Sequence, residues 1–337
     1  MKIIYFVLIA VVAVSVTVIF VINPGINDDM HSKFEDMING KAYKPFVYRT
    51  LLPTSVKIIS QVIPGNIKKM LTKKVEESYL LSKIFNKLKW ENRLAAEYFI
   101  ATLLMYISLL GFAFAIRYLF NLFYISSKIY TNLFSVFALL ALPPFFVYTS
   151  FLYDFPNLLL FTIGLILLKK QKWNIFIPFL IISTINKETT ILLIAIFYFY
   201  YRDRLSKELF RNLILIQVLT YIAVKIVLYF IFRNNSGTFV EFHLIDHNLR
   251  LLKRYDLTIA VAFLTSFIFI FYKWKEKPSF LKVSFSMIFP LLIFALFLGY
   301  IDELRGYYEV FPAAIILIYN SVARILDIRV QQRESDY

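Results

Sequence analysis

The chain has 337 residues, 59% hydrophobic and 18% aromatic, with a mean hydropathy of +0.67. A soluble domain must keep its surface polar, so this composition excludes a water-soluble globule and makes lipid the main solvent. The net charge of +15 comes from Lys and Arg set between apolar runs rather than along one stripe, which favours membrane orientation over nucleic-acid binding, and the lack of cysteine removes disulfides, thiolate metal sites and a Cys nucleophile.

The first apolar run, Ile3 to Ile22, has no small-residue cleavage signature and is followed by Asn23, Pro24 and Gly25. It reads as an uncleaved first transmembrane helix. Residues 23–96 then form a roughly 70-residue outer loop, long enough to cross largely regardless of its charge. Between Pro45 and Pro64, apolar Leu51, Leu52, Val56, Ile59, Val62 and Ile63 alternate at helical spacing with polar Lys57 and Gln61, which predicts an amphipathic helix on the membrane surface over Tyr48 to Ile63. A basic stretch from Lys68 to Lys89 faces either anionic head groups or water.

Further apolar runs lie at 97–120, 130–149, 155–168, 174–185, 189–201, 212–232, 257–272, 281–300 and 308–326, ten with the first. The runs 174–185 and 189–201 are each about 18 to 20 Å long as helices, short of a ~30 Å hydrocarbon core. Either they form one long helix with Asn186, Lys187 and Glu188 at mid-membrane, or they form a hairpin of short helices, 174–201, with that triplet at its apex. Positive charge decides. With a hairpin and a cytoplasmic N-terminus, 17 Lys and Arg of the short loops and ends fall on the cytoplasmic side against six outside, whereas one continuous helix divides them 11 to 11. The expected fold is therefore an all-α integral membrane protein, a single polytopic domain over 1–337 with about ten transmembrane or short intramembrane helices and both termini cytoplasmic. The richness in Lys, Ile, Asn, Phe and Tyr suits an AT-rich bacterial genome, hence a bacterial plasma membrane.

This topology places Asp28, Asp29, Arg49, Asp154, Asn186, Lys187, Glu188, His243, His247, Asp302, Arg305 and Glu309 on one outer side. Asp29, then Asp28, is the preferred general base, since a carboxylate within hydrogen-bond reach can activate a hydroxyl; Glu35 and Asp36 offer the same chemistry. Arg49, beside Tyr48 and between prolines, reads as a phosphate ligand or as an interfacial anchor. Asp154 precedes Pro156 at the start of an apolar run, where an N-cap role is the simplest account. Lys187 and Glu188 line a polar cavity or pair with each other, because ionisable groups between short apolar helices are costly. Arg305 offers a second cation for a phosphate. His243 and His247 are four apart, but with no further ligand evident a divalent metal is not indicated, and no cofactor is expected. Lys225, inside an apolar run, is expected to face a neighbouring helix or to snorkel. No Gly-rich phosphate loop, nucleophile elbow or zinc-protease motif occurs.

Three stretches carry a resemblance. Asp28-Asp29, Met37-Ile38-Asn39-Gly40 and Tyr48-Arg49-Thr50-Leu51-Leu52-Pro53 follow the first helix; Tyr153-Asp154-Phe155-Pro156-Asn157 opens a later one; and Thr184-Ile185-Asn186-Lys187-Glu188-Thr189 forms a polar apex. Together they resemble the GT-C class of polytopic glycosyltransferases, over roughly the first 200 residues in order. The resemblance implies that Asp28 or Asp29 is the base, that Arg49 and Lys187 hold the phosphate of a polyprenyl-phosphate sugar donor, and that the acceptor is a glycan, lipid or protein hydroxyl on the non-cytoplasmic face. With no C-terminal soluble domain, it implies a compact member. A transporter or flippase of a lipid-linked sugar, a polysaccharide polymerase, a membrane O-acyltransferase and an assembly subunit are the rival readings.

Overall fold

The computed structural model describes residues 2–27, 29–146, 148–238, 242–249 and 257–333. Among these the chain is all-α apart from one antiparallel pair, β1 (Tyr124–Ile125) with β2 (Gln331–Gln332). Helix α1 is Lys2–Phe20; α2 (Phe34–Asn39), α3 (Leu51–Val62), α4 (Gly65–Glu77) and α5 (Tyr79–Lys87) follow within the 23–96 segment. Then come α6 (Ala95–Phe123), α7 (Lys128–Leu140), α8 (Asp154–Lys169), α9 (Trp173–Asn186), α10 (Ile191–Tyr201), α11 (Lys207–Ile231), α12 (Leu257–Phe271), α13 (Ser279–Ser286), α14 (Ile288–Leu298) and α15 (Phe311–Ile325).

Among the described residues five stretches are long and apolar enough to cross a membrane: Ile3–Asn23, Asn92–Phe123, Lys128–Phe145, Lys207–Ile231 and Ser279–Leu298. Their outer surfaces are apolar; α11, for example, exposes Leu215, Leu219, Ile222, Ile226 and Phe230. In water such a face would be a large apolar liability, whereas in lipid it costs nothing. The run 130–149 does not stay helical to its end: α7 stops at Leu140, just before the Pro143–Phe145 turn, because a proline cannot continue a helix.

The long α6 is the central post, packed against α1, α3, α7 and α8. Close approach is permitted by small residues: a Cβ on Gly111 would meet Leu159 of α8 at 3.1 Å, and one on Gly164 would overlap Leu193 of α10. Helices α9 and α10 fold back on each other, since Trp173 at the start of α9 lies edge-on to Phe197 and Tyr201 at the end of α10, 5.4 and 5.1 Å between ring centres. The break between them is made by Lys187, whose backbone is extended, and by Thr190, whose hydroxyl donates to the carbonyls of Ser183 and Lys187. In the segment from Tyr48 to Ile63 the α-helix begins at Leu51, after a short helical turn over Phe46–Tyr48, and the basic stretch beyond it divides into α4 and α5.

The loops sort into two ends. One end joins Arg333 to Asn121, Lys170 to Tyr118 and Arg324 to Glu276. There Lys277 is buried, its ammonium donating to the carbonyls of Phe269, Ile270 and Leu317 and to the Ser321 hydroxyl at 2.6 to 3.2 Å. It satisfies carbonyls that the end of α12 leaves open. Lys277→Met keeps the stem but removes the ammonium donors; the Ser321 hydroxyl still reaches the Phe269 and Leu317 carbonyls, so of the three carbonyls Ile270 loses its side-chain donor outright, at about 1–3 kcal/mol. The expected result is a thermal midpoint lowered by several degrees in detergent, with Lys277→Arg intermediate. The other end holds the candidate site.

Candidate functional site

The first-loop segment that carries Arg49 is clamped from two sides. Asn235, just beyond α11, donates to the carbonyls of Gly40 and Ala42, and the Lys44 backbone N–H donates to Ser236. Gly237, at φ +92, lies so close that a Cβ there would meet the Lys44 carbonyl at 2.7 Å, a place only glycine fills. On the far side the Thr50 N–H donates to the Ile185 carbonyl at 3.1 Å, which sets Arg49 against the apex of the α9–α10 hairpin.

Four loops meet there through paired charges. Arg49 donates twice to the Glu188 carboxylate, its Nε at 3.2 Å, and once to the Tyr153 hydroxyl. Burial alone would lower the Arg49 pKa, but Glu188 and Tyr153 raise it by more, so the guanidinium keeps its charge. Lys187 Nζ lies 3.0 Å from Glu309 Oε1, which also accepts from Asn157 Nδ2 at 2.9 Å and from the Thr189 hydroxyl. Arg305 pairs with Glu303 and, at 3.7 Å, with Asp154. Burial opposes the Arg305 charge too, and Glu303 and Asp154 outweigh it.

An aromatic stack connects the two guanidiniums. The rings of Phe151 and Tyr153 lie parallel, 5.2 Å between centres, and Phe46 stacks on Phe151 at 5.3 Å. Arg305 sits 3.8 Å from the Phe151 centroid and Arg49 4.7 Å from that of Tyr153. Each cation is thus held over a ring face as well as by a carboxylate.

Two simpler sequence readings fail. Asp154 does not cap α8; it is the first helical residue and accepts from the Phe151 N–H three residues upstream at 3.1 Å. Lys187 and Glu188 do not pair with each other: the extended backbone at Lys187 turns consecutive side chains apart, one to Glu309 and the other to Arg49. Tyr48 is buried under the same loop, with Lys225 Nζ 5.1 Å over its ring. Asp29 lies on the neighbouring turn, where its carboxylate accepts from the His31 N–H at 3.2 Å and the Ser32 hydroxyl at 2.7 Å. That turn is tied to the site loop, since Tyr43 N–H donates to the His31 carbonyl and Val47 N–H to the Tyr43 carbonyl. Asp28 falls outside the described residues. His247 is 3.0 Å from Asp302, which also accepts from Tyr148; among the described residues no three His, Asp or Glu gather as a metal site.

Sequence reasoning underrated Glu309, Asn157 and Tyr153. Glu309 had a readable signal, an acid just ahead of Phe311-Pro312 at a helix start, much as Asp154 stands ahead of Pro156. Among the described residues, Asp154 Oδ1, Asn186 Oδ1 and Glu309 Oε2 are buried with no hydrogen-bond partner. A native interior seldom leaves such acceptors unpaired unless they serve water or a ligand.

Comparison with family models, with curated proteins and with solved structures finds no match. The chemistry of the site carries the functional reading alone. It holds cations paired with carboxylates, carboxylates with spare lone pairs, and a hydroxyl-rich apex, all within one largely buried cluster.

Proposed function

We propose that the protein is a membrane glycosyltransferase, similar in plan to the GT-C class, that moves a sugar from a polyprenyl-phosphate donor to an acceptor hydroxyl on the non-cytoplasmic face. The single observation that supports this most is the convergence of Arg49, Glu188, Lys187, Glu309, Asp154 and Arg305 from four separate loops into one cluster, with Lys187, Glu309 and Asp154 buried and the others partly buried. Buried charges are costly in a lipid-embedded chain, and function is the common reason that they are kept. In this reading about ten transmembrane or short intramembrane helices set the outer end of the molecule at a bacterial plasma membrane surface, with both termini cytoplasmic and the α3–α5 helices along the interface.

Asp29 takes the proton of the acceptor hydroxyl as that oxygen attacks the anomeric carbon. The bond from that carbon to the phosphate oxygen breaks, and Arg49, Lys187 and Arg305 offset the charge left on the phosphate. Tyr48, Asp154 and Glu188 line the pocket and hold the cations in place. The acceptor is a glycan, lipid or protein.

A transporter or flippase of a lipid-linked sugar is favoured by one observation. Each of these cations is already neutralised by a carboxylate, an arrangement in which a phosphate exchanges with a carboxylate without any chemistry. The test is transfer of radiolabelled sugar from a panel of polyprenyl-phosphate sugars by purified protein in lipid. Turnover with one donor establishes the transferase. Binding of the donors with no turnover from any of them moves the assignment to transport.

A further inference from the structure

Lys225 stands apart from the other cations. It lies in the spanning helix α11, about 9 Å below the helix end at Ile231. Tyr221, one turn earlier, donates to the Glu188 carbonyl at 2.9 Å and so fixes this face of α11 against the hairpin apex. Another turn earlier Gln217 is fully buried, and neither its oxygen nor its nitrogen has a partner among the described residues. Gln217, Tyr221 and Lys225 therefore make a polar seam down one side of a helix whose flanking positions, Ile222 and Ile226, face lipid.

Among the described residues the Lys225 ammonium has no hydrogen bond and no ion pair. It has the Tyr48 ring at 5.1 Å, and the charges acting on it are Glu188 and Arg49. Glu188 is already committed to both forks of Arg49. The trio of Arg49, Glu188 and Lys225 thus carries one uncompensated positive charge at membrane depth. A lysine inside a spanning helix costs up to about 2.5–3.5 kcal/mol on insertion scales, the figure for the helix centre, and a partner offsets that cost. No described residue supplies that partner, and an anion brought by the bilayer fits the place.

We propose that Lys225, with the Arg49 guanidinium behind it, receives the phosphate of a lipid that approaches α11 from the side. The inference deepens the proposed function and rests on it only for the nature of the lipid tail. Lys187 and Arg305, which the sequence nominates, are secured by carboxylates and hold the site together, while Lys225 makes the first contact with the ligand.

The experiment measures binding of undecaprenyl phosphate, undecaprenol and dioleoyl phosphatidate to the full-length protein in phosphatidylcholine nanodiscs, with melting followed in the same samples. Wild type should prefer undecaprenyl phosphate to undecaprenol by about tenfold or more; Lys225→Met should lose that preference and Lys225→Arg should keep it. Without added ligand, Lys225→Met should melt no lower than wild type, because it removes an unpaired charge. Equal loss of phosphatidate and undecaprenyl phosphate in Lys225→Met still supports the phosphate site and makes head-group phosphate, not the prenyl tail, its determinant. Phosphate-dependent binding through Lys225 with no sugar transfer from any donor upholds the site and removes the transferase. Unchanged phosphate preference in a well-folded Lys225→Met overturns the inference.

Discussion

Asp29→Asn is expected to cut sugar transfer by about 10²–10⁴-fold while leaving donor binding within a factor of a few of wild type, the signature of a lost general base. The substitution is conservative for the fold. Both Asp29 oxygens accept hydrogen bonds within their own turn, from His31 N–H and the Ser32 hydroxyl, and an asparagine keeps shape and one acceptor. What it cannot do is take a proton. Asp154→Asn is the necessary companion, because Asp154 is buried, has an unpartnered Oδ1, and lies 3.7 Å from Arg305. It keeps an acceptor for the Phe151 N–H, so its fold should also survive. If Asp154→Asn abolishes transfer and Asp29→Asn does not, the base is Asp154 and the first-loop assignment falls. Asp28→Asn belongs in the same series, since its neighbour at position 29 has the same chemistry.

Lys187→Met is expected to lose about 3–5 kcal/mol of stability, the largest structural effect at the site, because it strips the buried Glu309 of its counter-ion. The Glu309 side chain is 0% exposed and that of Lys187 9%, so water cannot make up the loss. Asn157 and Thr189 remain as donors to Glu309, but neither carries charge. The double substitution Lys187→Met with Glu309→Leu should recover most of the melting temperature, since a matched apolar pair replaces the ion pair at little cost. The coupling between the two sites should exceed about 2 kcal/mol in a double-mutant cycle. Activity of the double variant then separates two roles. Restored melting without restored transfer makes Lys187 a phosphate contact; restored transfer makes it a structural counter-ion and leaves Lys225 and Arg49 as the phosphate ligands.

The medium and the element type are legible in sequence because they depend on local quantities. A run such as 212–232 is too long and too apolar for anything but a helix in lipid, and all of it but its last residue lies in the observed α11. Proline and polar punctuation likewise mark where elements break, as at Pro143 and at Asn186-Lys187-Glu188. Helix ends were less legible. The apolar run continues to residue 149 although α7 stops at Leu140, because side chains packed on a protein interior are as apolar as those facing lipid.

Counter-ion choice was decided by tertiary structure alone. Lys187 and Glu188 are adjacent in sequence, yet they pair with Glu309 and Arg49, more than a hundred positions away, because an extended residue between two helices turns neighbouring side chains to opposite walls. Asp154 has the residue type and place of a helix cap, and packing gives it Arg305 instead. In sequence Lys225 reads as a lysine that faces a neighbouring helix or snorkels; with Glu188 bound to Arg49 it is, among the described residues of the site, a cation without a carboxylate. Hydrophobicity and length act along the chain, residue by residue, and can be read there. Charge neutralisation in a low-dielectric interior acts through space over a few ångströms, so it is settled only when distant loops have packed.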